Sequence, residues 1–269
     1  RVARSVLIML QFGRPDPVLD HRRRPTAFGL VMRDGLLACV RVERGAQSYF
    51  DLPGGALDGD ETEAQALARD AAAEGASGLL LAPVSYTPLT EEEVFQHFLA
   101  VASATDLPLC IYSNPGTTNF TFRPELVARL AAIPTVAAIK LPLPASGDIA
   151  ADLAAFRQAA PGLSVGYSGD WGCKAALLAG ADCWYSVAGG LFPEQAAALA
   201  AAAVRGDREE ADRCDAAFAG MWNLFRAHGS LRLIYAVANM LGLTETQPPK
   251  PLLGPDAMLK ASLLKALPR

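Results

Sequence analysis

Lys140 closes the apolar run Val136-Ala137-Ala138-Ile139, and about 28 residues earlier Tyr112 closes the run Leu109-Cys110-Ile111. That separation is roughly the length of one strand-helix repeat, and in an α/β barrel the side chains at the carboxyl ends of parallel strands converge on one mouth. An amine and a phenol so placed can meet there. A desolvated lysine amine beside a proton-relaying phenol is equipped to form a Schiff base with a ketone.

Each residue also has a plainer reading. A strand-end lysine commonly reaches solvent on its apolar stem, and a lone tyrosine commonly packs in a core or at a rim. Composition weighs against the plain reading of Lys140. Lysine occurs only at 140, 174, 250, 260 and 265, and arginine carries most of the positive charge, so a solvating position would more naturally hold arginine.

The elements that must position these residues follow from periodicity. Residues 6–10, 27–32, 36–43 and 49–52 read as strands, and Asp34-Gly35 between two apolar runs predicts a β-hairpin. From Glu61 the period becomes helical, with Ala64, Leu67, Ala68 and Ala71 on one face. Strand-like runs at 79–84, 109–112, 136–140, 163–167 and 183–187 then alternate with helical segments near 91–104, 123–132, 148–159 and 171–179. Such alternation predicts βα units around a parallel sheet. Helices near 193–204, 208–226, 229–241 and 256–266 follow without strands, as an appended helical cap.

Composition excludes several classes. A hydrophobic share of 51% supplies a core, and 24 basic against 28 acidic residues, net −4, offer no polycationic surface for nucleic acid. The cluster His21-Arg22-Arg23-Arg24 is short enough to be a solvated segment. Cys39, Cys110, Cys173, Cys183 and Cys214 form no CxxC pair and have no adjacent histidine, which points to a reduced, cytoplasmic protein without a zinc site. No apolar stretch is long enough to span a bilayer.

From about residue 62 to the C-terminus the sequence resembles the dihydrodipicolinate synthase / N-acetylneuraminate lyase family of pyruvate-dependent class I aldolases. The resemblance rests on Gly75-Ala76-Ser77-Gly78-Leu79-Leu80-Leu81-Ala82-Pro83, on Ser85-Tyr86-Thr87-Pro88, on the run from Leu107 to Thr118 that includes Tyr112-Ser113-Asn114-Pro115-Gly116, and on Ala138-Ile139-Lys140. It implies that Lys140 forms an imine with a 2-oxo acid, that Tyr112 relays protons, and that Tyr86 completes the relay, often across a subunit contact of a homo-oligomer. Thr117, Gly169, Tyr185 and Val187 would line the substrate pocket. No cofactor or metal is implied, since the imine on Lys140 is the electron sink; the partners are a small 2-oxo acid and an aldehyde. Two departures shape the expectation. Thr117 stands where dihydrodipicolinate synthases proper place an arginine for the aldehyde's carboxylate, so the expected aldehyde is a different one. The family's first three βα units, with the loop that cradles the pyruvate carboxylate, have no counterpart.

Residues 24–69 resemble the start of a Nudix hydrolase instead, through Arg24-Pro25-Thr26-Ala27-Phe28-Gly29-Leu30-Val31, Asp51-Leu52-Pro53-Gly54-Gly55-Ala56-Leu57 and Gly59-Asp60-Glu61-Thr62. Under that alternative Glu61 and Glu74 would help hold Mg²⁺ on a diphosphate. Asp70 replaces a glutamate of the family's box, however, and Ala73 takes one place of its Glu-Glu pair.

The expected fold is therefore α/β and derived from a (β/α)₈ TIM barrel lacking its first three units. A Nudix-like β region would occupy 1–61, a partial aldolase barrel 62–192 and a helical extension 193–269, joined as a chimera between Thr62 and Ala71. The expected function is a Schiff-base 2-oxo-acid aldolase or lyase. Its alternatives are a Mg²⁺-dependent diphosphate hydrolase and a catalytically silent chimera.

Overall fold

The computed structural model describes residues 62–249 and 251–268, together with six short strands before them. These are β1 (Thr26–Phe28), β2 (Val31–Arg33), β3 (Leu36–Ala38), β4 (Val40–Arg44), β5 (Gln47–Asp51) and β6 (Gly54–Ala56), joined as three antiparallel pairs, β1 with β6, β2 with β3 and β4 with β5. Arg33 pairs with Leu36 and Val31 with Ala38, in line with the hairpin expected from the sequence, while Asp34 and Gly35 lie outside the described residues. The expectations of a Nudix-like front and of three lacking βα units rest on residues 1–61, most of which lie outside those described.

Helix α1 (Glu63–Ala73) opens with a capping box. The Thr62 hydroxyl accepts from the Gln65 backbone N–H, while the Gln65 side chain accepts from Thr62 N–H. Then come β7 (Leu79–Leu81), α2 (Glu91–Ala102), β8 (Leu109–Tyr112), the single turn α3 (Pro115–Thr118), α4 (Pro124–Ala131), β9 (Val136–Leu141), α5 (Ile149–Ala159), β10 (Ser164–Tyr167), α6 (Cys173–Leu178) and β11 (Cys183–Trp184). The five strands β7 to β11 form one all-parallel sheet in the order β11-β10-β9-β8-β7, as sequential βα crossovers demand.

Alternation along each strand splits the sheet into two faces. Leu109, Ile111, Ile139, Val165 and Tyr167 are buried against Val94, Phe98, Leu126, Val127, Leu130, Leu153 and Phe156 of α2, α4 and α5. Cys110, Tyr112, Ala138 and Lys140 occupy the other face and are half-buried, and Leu80 beside them is 52% exposed. The two catalytic candidates thus lie on the sheet face away from the helices, at the carboxyl ends of adjacent strands.

A second core is helical. Helices α7 (Pro193–Val204), α8 (Arg208–His228), α9 (Ser230–Met240) and α10 (Ala257–Ala266) bury Leu199, Phe218, Met221, Trp222, Phe225, Leu233 and Leu263 together with Cys173 and Leu177 of α6. Phe218 and Trp222, one turn apart on α8, stack with ring centroids 4.6 Å apart. Among the described residues no helix is long and apolar enough to cross a membrane.

Candidate active site

Register brings the predicted pair together. Tyr112 on β8 is the direct neighbour of Lys140 on β9, and Lys140 the neighbour of Gly166 on β10. Lys140 Nζ lies 4.8 Å from the centroid of the Tyr112 ring and 5.6 Å from that of Tyr185, just beyond β11. Two aromatic faces thus flank the amine, an attraction that strengthens when it carries charge. The Ser113 N–H donates to the Lys140 carbonyl at 2.9 Å, extending the ladder past the strand end and fixing the lysine backbone.

Asn114 fixes the phenol. Its Nδ2 donates to the Tyr112 hydroxyl oxygen at 2.9 Å, so that oxygen is occupied as an acceptor and its own proton is free to be given away. The sequence carried no signal for this role beyond the position of Asn114 two residues after Tyr112.

The loops at the sheet's carboxyl end place the remaining candidates. Gly169 takes a left-handed backbone, φ 91°, and a Cβ there would lie 2.9 Å from the Leu143 side chain, so glycine is required for the loops after β9 and β10 to touch. The Val187 N–H donates to the Asp170 carboxylate at 3.1 and 3.2 Å, while its side chain is exposed at this end. Thr117 lies exposed on α3, which leaves directly from the Tyr112 strand. Tyr86 is not gathered in. It projects fully into solvent at 103% relative exposure from the loop after β7.

Sequence reasoning passed over Asp170. At 2% exposure it accepts from Trp184 Nε1 at 2.9 Å and from the backbone N–H groups of Val187 and Ala188, tying the loop that follows Tyr185 to the turn after β10. Burial pushes its carboxyl above the usual range, and the donors from Ala188, Val187, Trp184 and Ser186 pull the other way. Nothing marks such a residue in a sequence, because its partners are backbone amides brought from 17 and 18 residues away.

The carboxylates of the diphosphate-hydrolase alternative are not assembled. Glu74 is an exposed C-cap of α1, Asp70 pairs with Arg69 at 3.0 Å, and Glu61 lies outside the described residues. Among the described residues no three His, Cys, Asp or Glu side chains cluster as metal ligands.

The model of the dihydrodipicolinate synthetase family matches residues 59–267, including the whole of α1. A 4-hydroxy-tetrahydrodipicolinate synthase from Leptothrix cholodnii is 34% identical over 214 residues, which are 79% of this chain and 72% of that protein. Among solved structures, the dihydrodipicolinate synthase from Agrobacterium tumefaciens is similar with a TM-score of 0.73 and 55% identity, covering 76% of this chain and 69% of that one. The chloride-inhibited dihydrodipicolinate synthase from Acinetobacter baumannii, solved with pyruvate, gives a TM-score of 0.67 at 28% identity, with 76% and 69% covered. These comparisons lend the Nudix resemblance no support, and they assign its last segment, the first turns of α1, to the lyase family.

Proposed function

Because the chain belongs to the dihydrodipicolinate synthetase family of class I aldolase-type lyases, which work through a lysine Schiff base with pyruvate and no metal cofactor, we propose that Lys140 is the imine-forming amine and Tyr112 its proton relay. The observation that carries this reading is the Lys140 amine held 4.8 Å from the Tyr112 ring at the carboxyl ends of β8 and β9. The amine adds to C2 of the oxo acid, and the carbinolamine hydroxyl takes a proton and leaves as water. Tyr112 is the donor, its oxygen already engaged by Asn114. The resulting cationic imine draws electrons from C3, which gives a proton to the Tyr112 phenolate and leaves an enamine. The enamine carbon bonds to the carbonyl carbon of an aldehyde, whose oxygen takes that proton from Tyr112, and hydrolysis of the imine frees Lys140.

The names of the relatives support 4-hydroxy-tetrahydrodipicolinate synthesis, with an aldehyde that bears a carboxylate such as aspartate semialdehyde. One observation favours a second reading. Thr117 supplies a hydroxyl where a bidentate guanidinium would grip that carboxylate, so an uncharged aldehyde is the alternative acceptor. The full exposure of Tyr86 beside the exposed Val84 supports the reading that this phenol serves the site of a second copy in a homo-oligomer.

Intact mass after incubation with pyruvate and sodium borohydride tests the core of the proposal. The expected result is one reduced pyruvyl adduct on the wild type and none on Lys140→Ala. An adduct of equal yield on both would move the imine to another lysine, and a folded wild type without adduct would overturn the reading. Turnover of aspartate semialdehyde against propanal then separates the two acceptors.

A further inference from the structure

Tyr185 follows β11, yet its hydroxyl lies 3.1 Å from Cys110 Sγ on β8, three strands away in the sheet order. Its ring therefore crosses the open face of the sheet. Gly166 on β10 is what lets it pass, since a Cβ there would lie 2.7 Å from Tyr185 Cε2 and would also collide with the Cys183 thiol. In the β8–β9 register Tyr112 stands opposite Lys140, whereas Cys110 stands opposite Ala138, one step closer to the strands' amino ends. A ring anchored at Cys110, with its centroid 5.6 Å from Lys140 Nζ, thus lies below the amine as seen from the carboxyl-end mouth.

We propose that Tyr185, held in place by Cys110, is the floor of the Lys140 pocket and the residue that restricts the enzyme to short 2-oxo acids; this deepens the imine reading of Lys140 and rests on it. The bond at Cys110 fixes how far the ring sits under the amine, and Gly166 supplies the slot. Burial raises the pKa of both the Cys110 thiol and the Tyr185 phenol, so the pair stays protonated near neutral pH and acts through shape, leaving proton transfer to Tyr112. Cys110 is a positioning residue here, and Tyr185 the specificity-determining one.

Borohydride trapping of the full chain with pyruvate and, separately, with 2-oxobutanoate, one methylene longer, provides the test. Wild type is expected to trap pyruvate preferentially. Tyr185→Leu should raise the ratio of 2-oxobutanoate to pyruvate trapping by about tenfold, the usual worth of one methylene in a fitted pocket. Tyr185→Phe keeps the ring but loses the bond to Cys110, and should shift the ratio less than Tyr185→Leu, to the extent that Cys110→Ala does. Cys110→Ala should shift the ratio the same way as Tyr185→Leu but less, and Cys110→Ser, which retains the bond, should restore it. A wild type that traps both acids equally, or a folded Tyr185→Leu with the wild-type ratio, overturns the inference and leaves the Lys140 reading standing. Should Tyr185→Leu fail to fold, an unshifted ratio in Cys110→Ala overturns it instead. A wild type that traps neither acid overturns the Lys140 reading, and this inference falls with it.

Discussion

In the proposed reading, the chemistry of this chain rests on one amine, one phenol and the amide that orients the phenol. Asn114 donates to the Tyr112 oxygen at 2.9 Å, and that bond separates a phenol that can only pack from one that can hand over its proton. Tyr112→Phe is therefore expected to lower kcat by about 100-fold, the lower end of the range for loss of a general acid, with little change in the KM for the oxo acid. Asn114→Ala should cost less, about tenfold in kcat, because the phenol remains but is no longer aimed. Steady-state kinetics with pyruvate in excess reads both. An Asn114→Ala enzyme as slow as Tyr112→Phe would mean that the amide itself touches the reacting atoms.

At the scale of elements, the loops beyond β9, β10 and β11 are fixed by buried polar groups and close glycines. Asp170→Ala would strip the acceptor from the Trp184 indole and from two backbone N–H groups, at a cost of about 3 kcal/mol seen in urea denaturation. Asp170→Asn keeps one oxygen and should lose less. Helix α6 is fastened to α8 by Lys174, whose amine reaches Asp212 at 2.8 Å and Asp215 at 3.1 Å. Asp212 above all, then Asp215, raises the lysine's pKa above its ordinary 10.5. A raised folded pKa gives stability that is complete below the unfolded value and is lost as pH rises through the folded one. The pair is partly solvent-screened, so Lys174→Met should cost under about 1 kcal/mol near neutral pH. The difference in Tm from wild type should hold steady up to about pH 10 and shrink above it. A gap that persists unchanged well above that pH would contradict this assignment.

For the whole molecule, two cores meet at α6. The sheet core carries the amine, and the helical core carries Phe218 and Trp222, stacked on each other and set edge-on to Phe192 and Trp184. Phe218→Ala should lower stability by about 3 to 5 kcal/mol while the fraction that remains folded still traps pyruvate on Lys140. Loss of trapping in a folded variant would show that the helical core shapes the pocket directly. Self-association is the other property at this scale. Tyr86→Ser should shift the sedimenting species toward the monomer if that side chain enters a second copy, and an unchanged sedimentation coefficient would remove Tyr86 from the interface.

The order of elements from β7 onward and the adjacency of Lys140 and Tyr112 were legible in the chain before any fold was known. Strand alternation and helical period are local properties, and residues that end successive parallel strands must arrive at one edge. The four C-terminal helices were equally legible, each opened by Pro193, Asp207, Ser230 or Asp256 at or beside its first turn. The remaining contacts arose from packing between distant segments. Asp170 acquires its role from amides 17 and 18 residues away, and Tyr185 reaches Cys110 across 75 residues of chain through a slot left by a glycine on the strand between. Such contacts depend on which strands lie side by side and how far each reaches past its neighbour. No local pattern records that distance, because register is fixed only when the sheet forms.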